Sequence, residues 1–219
     1  MNSRLRSHSA FTLVELLTVI AVIGILGALI FAALGSAQKS AQRAGGANVL
    51  RQTGAAIKLY AQENGGSLPG QVPIYEENET ERLSYKLAPY LDVPKQTTGK
   101  LLVEGLVPPA FPIDELGSEP RTFIVNDDAM NPNNNSRFNP WGSHPDIADP
   151  SDPTASTPHN YFKLVSPART WAVMDVDQEH PRVAAGWASS TPEKPIHGSV
   201  RHALFFDGHV EAVPLDYEL

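Results

Sequence analysis

The strongest constraint on this chain is a stretch near its start, Phe11 to Leu34, in which the only ionisable side chain is Glu15. About 20 consecutive apolar residues suffice for a helix to cross the hydrocarbon core of a bilayer, so the stretch predicts a membrane-spanning helix. The leader ahead of it, MNSRLRSHSA, carries Arg4, Arg6 and His8 and no acid. Basic residues on one flank keep that flank in the cytoplasm and send the rest of the chain outward. A secretory signal peptide has the same order of basic and apolar regions, but its apolar part usually spans only about 7–15 residues. A plain single-span anchor would leave Glu15 unexplained. Carboxylates inside membranes are costly, face protein rather than lipid, and call for a partner. Glu15 is therefore the first candidate functional residue.

Beyond Gly35 the pattern becomes amphipathic. Val49, Leu50, Ala56, Ile57 and Tyr60 recur near helical spacing, with Lys39, Arg43, Arg51 and Lys58 between them. Gly24, Gly27, Gly35, Gly45, Gly46 and Gly54 lie along the same helix, although each lowers helicity by about 1 kcal/mol relative to Ala. They are read as points of close approach to packed neighbours. Asn64-Gly65-Gly66, with Pro69 beyond, ends the helix.

Thr80 to Leu91 reads as a short amphipathic helix with Thr80 as its cap. Strands are expected at 121–126, 160–165, 170–176, 201–206 and 209–213. Residues 126–159, rich in Asn, Asp, Pro and Ser, read as a long surface loop partly ordered by Phe138 and Trp141. The expected fold is α+β, with a long N-terminal α-helix, membrane-spanning in its first half, packed on a C-terminal antiparallel sheet domain. A net charge of −7 gives no basic footprint and argues against a nucleic-acid partner. The sequence holds no cysteine, so no disulfide closes the domain.

The segment SA-FTLVELLTVIAVIGIL resembles the class III signal of type IV pilins and type II secretion pseudopilins. The resemblance implies that a prepilin peptidase cuts between Ala10 and Phe11 and methylates the new amino terminus on Phe11. Most members carry Gly before the cut, where this chain has Ala10. It further implies that Glu15 of one subunit meets the Phe11 amine of the next, setting register in a filament. Ala47 to Gly70, ANVLRQTGAAIKLYAQENGGSLPG, is similar to a stretch that follows the anchor in a large group of bacterial pseudopilin-like proteins. Many of those carry a Pro near the position of Ala32, and its absence here implies a straighter helix. RTFIVN and SPARTWAVMD resemble two strands of the same group. His197, nine residues, then Asp207-Gly208 resembles its closing H-X9-DG element.

Read from the residues alone, Asp207-Gly208 between two apolar strands is a two-residue type I′ turn. His197 would then bond a turn carbonyl or pack across the ladder. A metal reading from His197, His202, Asp207 and His209 lacks standard zinc spacing, so no metal ligand is expected. Neither a GxSxG sequence nor a cysteine supplies an activated nucleophile, and no enzyme activity is expected. Calcium stays open as a cofactor without a ligand set. Asp127, Asp128, Asp146, Asp149, Asp152, Asp175 and Asp177 form no DxDxDG loop and read as solvated loop acids.

The expected organisation is a leader at 1–10, a transmembrane and filament-core helix at 11–34, its amphipathic continuation at 35–64, and a globular periplasmic α+β domain at 65–219. The expected role is a structural subunit of a periplasmic pseudopilus for type II protein secretion, anchored in the inner membrane. Its partners would be other pseudopilin subunits, the prepilin peptidase and the inner-membrane assembly platform. The alternatives are a type IV minor pilin in adhesion or DNA uptake, and a membrane-anchored periplasmic ligand-binding or carbohydrate-active domain.

Overall fold

The computed structural model describes residues 12–70, 83–92, 106–117, 120–142, 157–183 and 185–217. The chain divides into two compact units, Met1–Ala41 and Gln42–Leu219. One helix, α1, runs over Leu13–Glu63 and contributes to both.

In the first unit α1 is apolar all round. Leu16, Leu17, Val19, Ile20, Val22 and Ile23 fall on every side of the helix, and all are exposed. A helix of this kind is stable only when lipid or other protein surrounds it. It is the one described helix long and apolar enough to cross a membrane.

In the second unit α1 changes character. Gly46, Leu50, Thr53, Gly54, Ile57 and Ala61 are buried at helical spacing, while Arg51, Lys58 and Leu59 face outward. The helix stops as the sequence predicts. The Gly66 N–H donates to the Ala61 carbonyl at 2.7 Å, and Gly65 has a φ of 64°. That is the Schellman closure, which needs a residue free to turn left-handed.

The buried face of α1 packs on a four-stranded antiparallel sheet. Its strands are β1 (Phe123–Val125), β4 (Trp171–Asp175), β5 (Val200–Phe205) and β6 (Val210–Pro214), in the order β1-β4-β5-β6. A separate hairpin pairs β2 (Ala129–Met130) with β3 (Arg137–Phe138). Leu50, Ala56 and Ile57 join Ala172, Val173, Leu204 and Phe206 in one core. Each large side chain so buried is worth about 1.5–3 kcal/mol. On the other sheet face Ile124, Trp171, Met174, Trp187, Phe205 and Val213 form a second core. β4 is consequently buried at every position, which explains why its sequence lacks polar alternation.

The α+β architecture is as expected, and so are four of the five strands. Residues 160–165 are not a strand. Asn160 caps a 3₁₀ turn at Tyr161–Lys163, its side chain accepting from the Phe162 N–H at 3.0 Å, so the local cap wins over strand propensity. The short helix is α2, Leu83–Leu87, continued by a 3₁₀ turn at Ala88–Tyr90. Pro89 lacks the N–H that another α-turn would use, and Thr80 lies outside the described residues. Residues 126–142 are more than a surface loop. They hold the β2–β3 hairpin, and Trp141 is fully buried with its ring 5.5 Å from Phe206.

Candidate functional site

Phe11 and the leader lie outside the described residues, so the first functional group in view is Glu15. It sits in the first turn of α1, and Thr12 is the residue before the helix. The Thr12 hydroxyl accepts from the Glu15 N–H at 3.2 Å, while Glu15 Oε2 accepts from the Thr12 N–H at 2.9 Å and from its hydroxyl at 2.8 Å. This is a reciprocal capping box. The carboxylate thus has a partner within its own subunit. Thr-x-x-Glu is itself the sequence signature of such a box.

The six helix glycines fall into two sets. A Cβ on Gly45 would lie 2.7 Å from Pro109, one on Gly46 2.7 Å from His197 Nε2, and one on Gly54 2.8 Å from Leu204 Cδ1. At Gly24, Gly27 and Gly35 nothing in the described chain lies within 4 Å. The first set lets the domain close on the helix. The second leaves a smooth apolar surface on the exposed half.

His197, Asp207 and Gly208 do not meet. His197 precedes β5 and Asp207 follows it, and six strand residues cover roughly 20 Å. The turn after β5 is not type I′. Gly208 has a φ of 96°, but Asp207 is absent from the described residues with positive φ. The Gly208 N–H donates to the Phe205 carbonyl and the Phe205 N–H to the His209 carbonyl, both at 2.9 Å. This is a type I turn closed by a glycine bulge. Asp207 Oδ1 accepts from the His209 N–H at 3.0 Å and lies 2.6 Å from His209 Nδ1.

The partners of His197 are elsewhere. Its Nε2 lies 3.4 Å from Asp175 Oδ2, and His202 Nδ1 lies 3.8 Å from the same oxygen. The two imidazoles are 4.2 Å apart between centroids. The antiparallel register that sets Met174 against Ala203 carries Asp175 next to His202, whose N–H donates to Asp175 Oδ2 at 2.8 Å. The Arg43 guanidinium, on α1, donates to the His197 carbonyl at 3.0 Å. Burial, then the neighbouring His202 and Arg43 charges, pull His197 down to about 4. Burial, then Arg43 and Arg51, lower His202. Burial pushes Asp175 up to about 7, partly offset by the His202 N–H. Near neutral pH the imidazoles are uncharged, so the contact is not an ion pair.

A true ion pair lies alongside. Arg201 grips Asp177 through Nε–Oδ2 at 2.7 Å and Nη2–Oδ1 at 2.9 Å, and its Nη1 reaches the Leu215 carbonyl at 2.9 Å. Asp175 and Asp177 are therefore not solvated acids; both are buried. Asp127 pairs with Arg182, and Asp128 with Arg137. Asp146, Asp149 and Asp152 lie outside the described residues. Asp127, Asp128 and Asp177 thus face arginines, while Asp175 spends Oδ2 on the His202 backbone N–H.

The prokaryotic N-terminal methylation motif matches residues 5–31. No curated protein and no solved structure matches the chain. The chain carries the N-terminal methylation motif of type IV pilin-like and pseudopilin-like precursors, on the same apolar helix that its fold leaves uncovered.

Proposed function

We propose that the chain is a pseudopilin-like structural subunit, cut between Ala10 and Phe11, methylated on Phe11 and assembled through α1 into a periplasmic pseudopilus for type II secretion. The observation that carries this reading is the first half of α1, apolar on every side, headed by the methylation motif and bearing one acid, Glu15. Before assembly lipid covers that helix, and after assembly the helices of other subunits do. Its work is mechanical rather than catalytic. The prepilin peptidase and an inner-membrane assembly platform are its transient partners. The cysteine-free domain favours a pseudopilin over a pilin closed by a disulfide.

In the filament, the freed Phe11 amine of one subunit meets Glu15 of another. Glu15→Gln keeps a residue that can close the capping box but removes the charge, whereas Glu15→Ala removes both. The reading predicts a methylated Phe11 start by mass spectrometry of the native protein and loss of polymer with either variant. An uncut Met1 start, or normal polymer from Glu15→Gln, would refute it. Filaments outside intact cells with secretion unaffected would point instead to a type IV minor pilin.

A further inference from the structure

Four buried polar atoms meet in one place without a bonding partner among the described residues. Asp175 Oδ1, both ring nitrogens of His197 and His202 Nδ1 are buried and lack a hydrogen-bond partner among the described residues. The side chains of His197, Asp175 and His202 are 1%, 3% and 7% exposed. Buried polar groups are normally satisfied, so a cluster of orphans requires an explanation. Hydrogen bonding among the three does not provide one, because the separations of 3.4 and 3.8 Å are too long for a good bond.

The same separations are close to those of ligands on a shared ion, the 3.4 Å one within its range and the 3.8 Å one just beyond it. Zinc bonds nitrogen and oxygen at about 2.0–2.2 Å, which places neighbouring ligands of a tetrahedron roughly 3.3–3.6 Å apart. One donor atom from each of Asp175, His197 and His202 lies within 4.8 Å of the others. Asp175 is oriented by the His202 backbone N–H on Oδ2, the oxygen that lies 3.4 and 3.8 Å from the two imidazole nitrogens, and its Oδ1 keeps no bond of its own. Gly46 gives the imidazoles room, since any Cβ there would strike His197.

We propose that Asp175, His197 and His202 bind one divalent first-row transition ion, zinc in the first instance, pinning β4, β5 and the segment entering β5 beneath α1. Two imidazoles and one carboxylate suit zinc, iron and copper better than magnesium or calcium. The Arg43 charge, which faces both histidines, acts against the ion, and the Asp175 carboxylate offsets it. Asp177 adds little because Arg201 already neutralises it. This site differs from any set built on Asp207 and His209, which sit beyond the far end of β5.

The test uses the full chain in mild detergent, purified without a histidine tag and stripped with chelator. Zinc and cobalt are titrated separately, with magnesium and calcium alongside. One equivalent of zinc per chain is expected, with visible cobalt bands of a low-coordinate site and no response to magnesium or calcium. His197→Gln and His202→Gln should each weaken zinc by roughly 100-fold or more, past the range for outer partners of a metal. His209→Gln should not. If the ligand variants do not fold, X-ray absorption of the zinc-loaded wild type decides. Two imidazoles and one carboxylate in the first shell support the site, and a shell lacking the imidazole pair overturns it. Sub-stoichiometric binding at micromolar free zinc, or unchanged affinity in His197→Gln, overturns it equally and leaves a trapped water as the partner of the orphans.

Discussion

Gly54 and Leu204 offer a quantitative test of how the domain half of α1 seats on the sheet. A Cβ at Gly54 would sit 2.8 Å from Leu204 Cδ1 and 3.5 Å from Cδ2, and Leu204 is 1% exposed. Gly54→Ala gains about 1 kcal/mol of helix propensity. It also forces an extra methyl into a filled core, at a cost of about 1–3 kcal/mol. The net expectation is a loss of about 1 kcal/mol. Leu204→Ala alone removes buried methyl groups and leaves a cavity, costing about 2–5 kcal/mol. In the double variant the methyl introduced by Gly54→Ala enters that cavity, the clash vanishes and the propensity gain survives. The double variant should then be more stable than Leu204→Ala alone, with a coupling of about 1 kcal/mol or more. Urea unfolding of the detergent-solubilised full chain measures this. Trp141, Trp171 and Trp187, all buried in the second unit, report the transition by fluorescence. Additive losses, within about 0.5 kcal/mol, would show that the helix does not rest on Leu204 as described.

Two further outcomes follow from the buried charges. Asp177→Ala leaves the Arg201 guanidinium buried without its bidentate partner and should cost about 3–5 kcal/mol in the same urea assay. His180 is held down to about 4, by burial first and by the Arg201 charge second. An unfolded His takes up its proton near 6.5, so this group's contribution is full above about pH 6.5 and is lost as pH falls towards 4. The slope is at most about 1.4 kcal/mol per pH unit. Thermal midpoints between pH 7 and 4 should fall less steeply in His180→Gln than in wild type.

The parts governed by periodicity were readable in the sequence. The apolar run, the switch to a one-sided face after Gly35, the Asn64-Gly65-Gly66 stop and four strands all follow from spacing and turn chemistry. What failed was decided by single side chains or by contacts remote in sequence. Asn160 turned an apolar segment into a capped 3₁₀ turn. Asp207 bonds to its own next-but-one residue in a type I turn with a glycine bulge, not the expected type I′. Trp141, expected to order part of its polar loop, goes further and fills the core beside Phe206. The triad of Asp175, His197 and His202 was half visible, because both histidines stood out. Their carboxylate is the last residue of a buried strand 22 positions upstream of His197, and only the sheet register brings it to them.

If the chain assembles as proposed, the Thr12–Glu15 box bears on how subunits find one another. A carboxylate on a loose side chain must lose its rotational freedom at the moment an amine arrives, and that loss weakens docking. Here two donors from Thr12 already fix one oxygen while the subunit is still solitary. On the proposed assembly, the arriving amine would meet an acceptor whose direction is set in advance, so much of the ordering cost would fall on helix formation rather than on polymer growth.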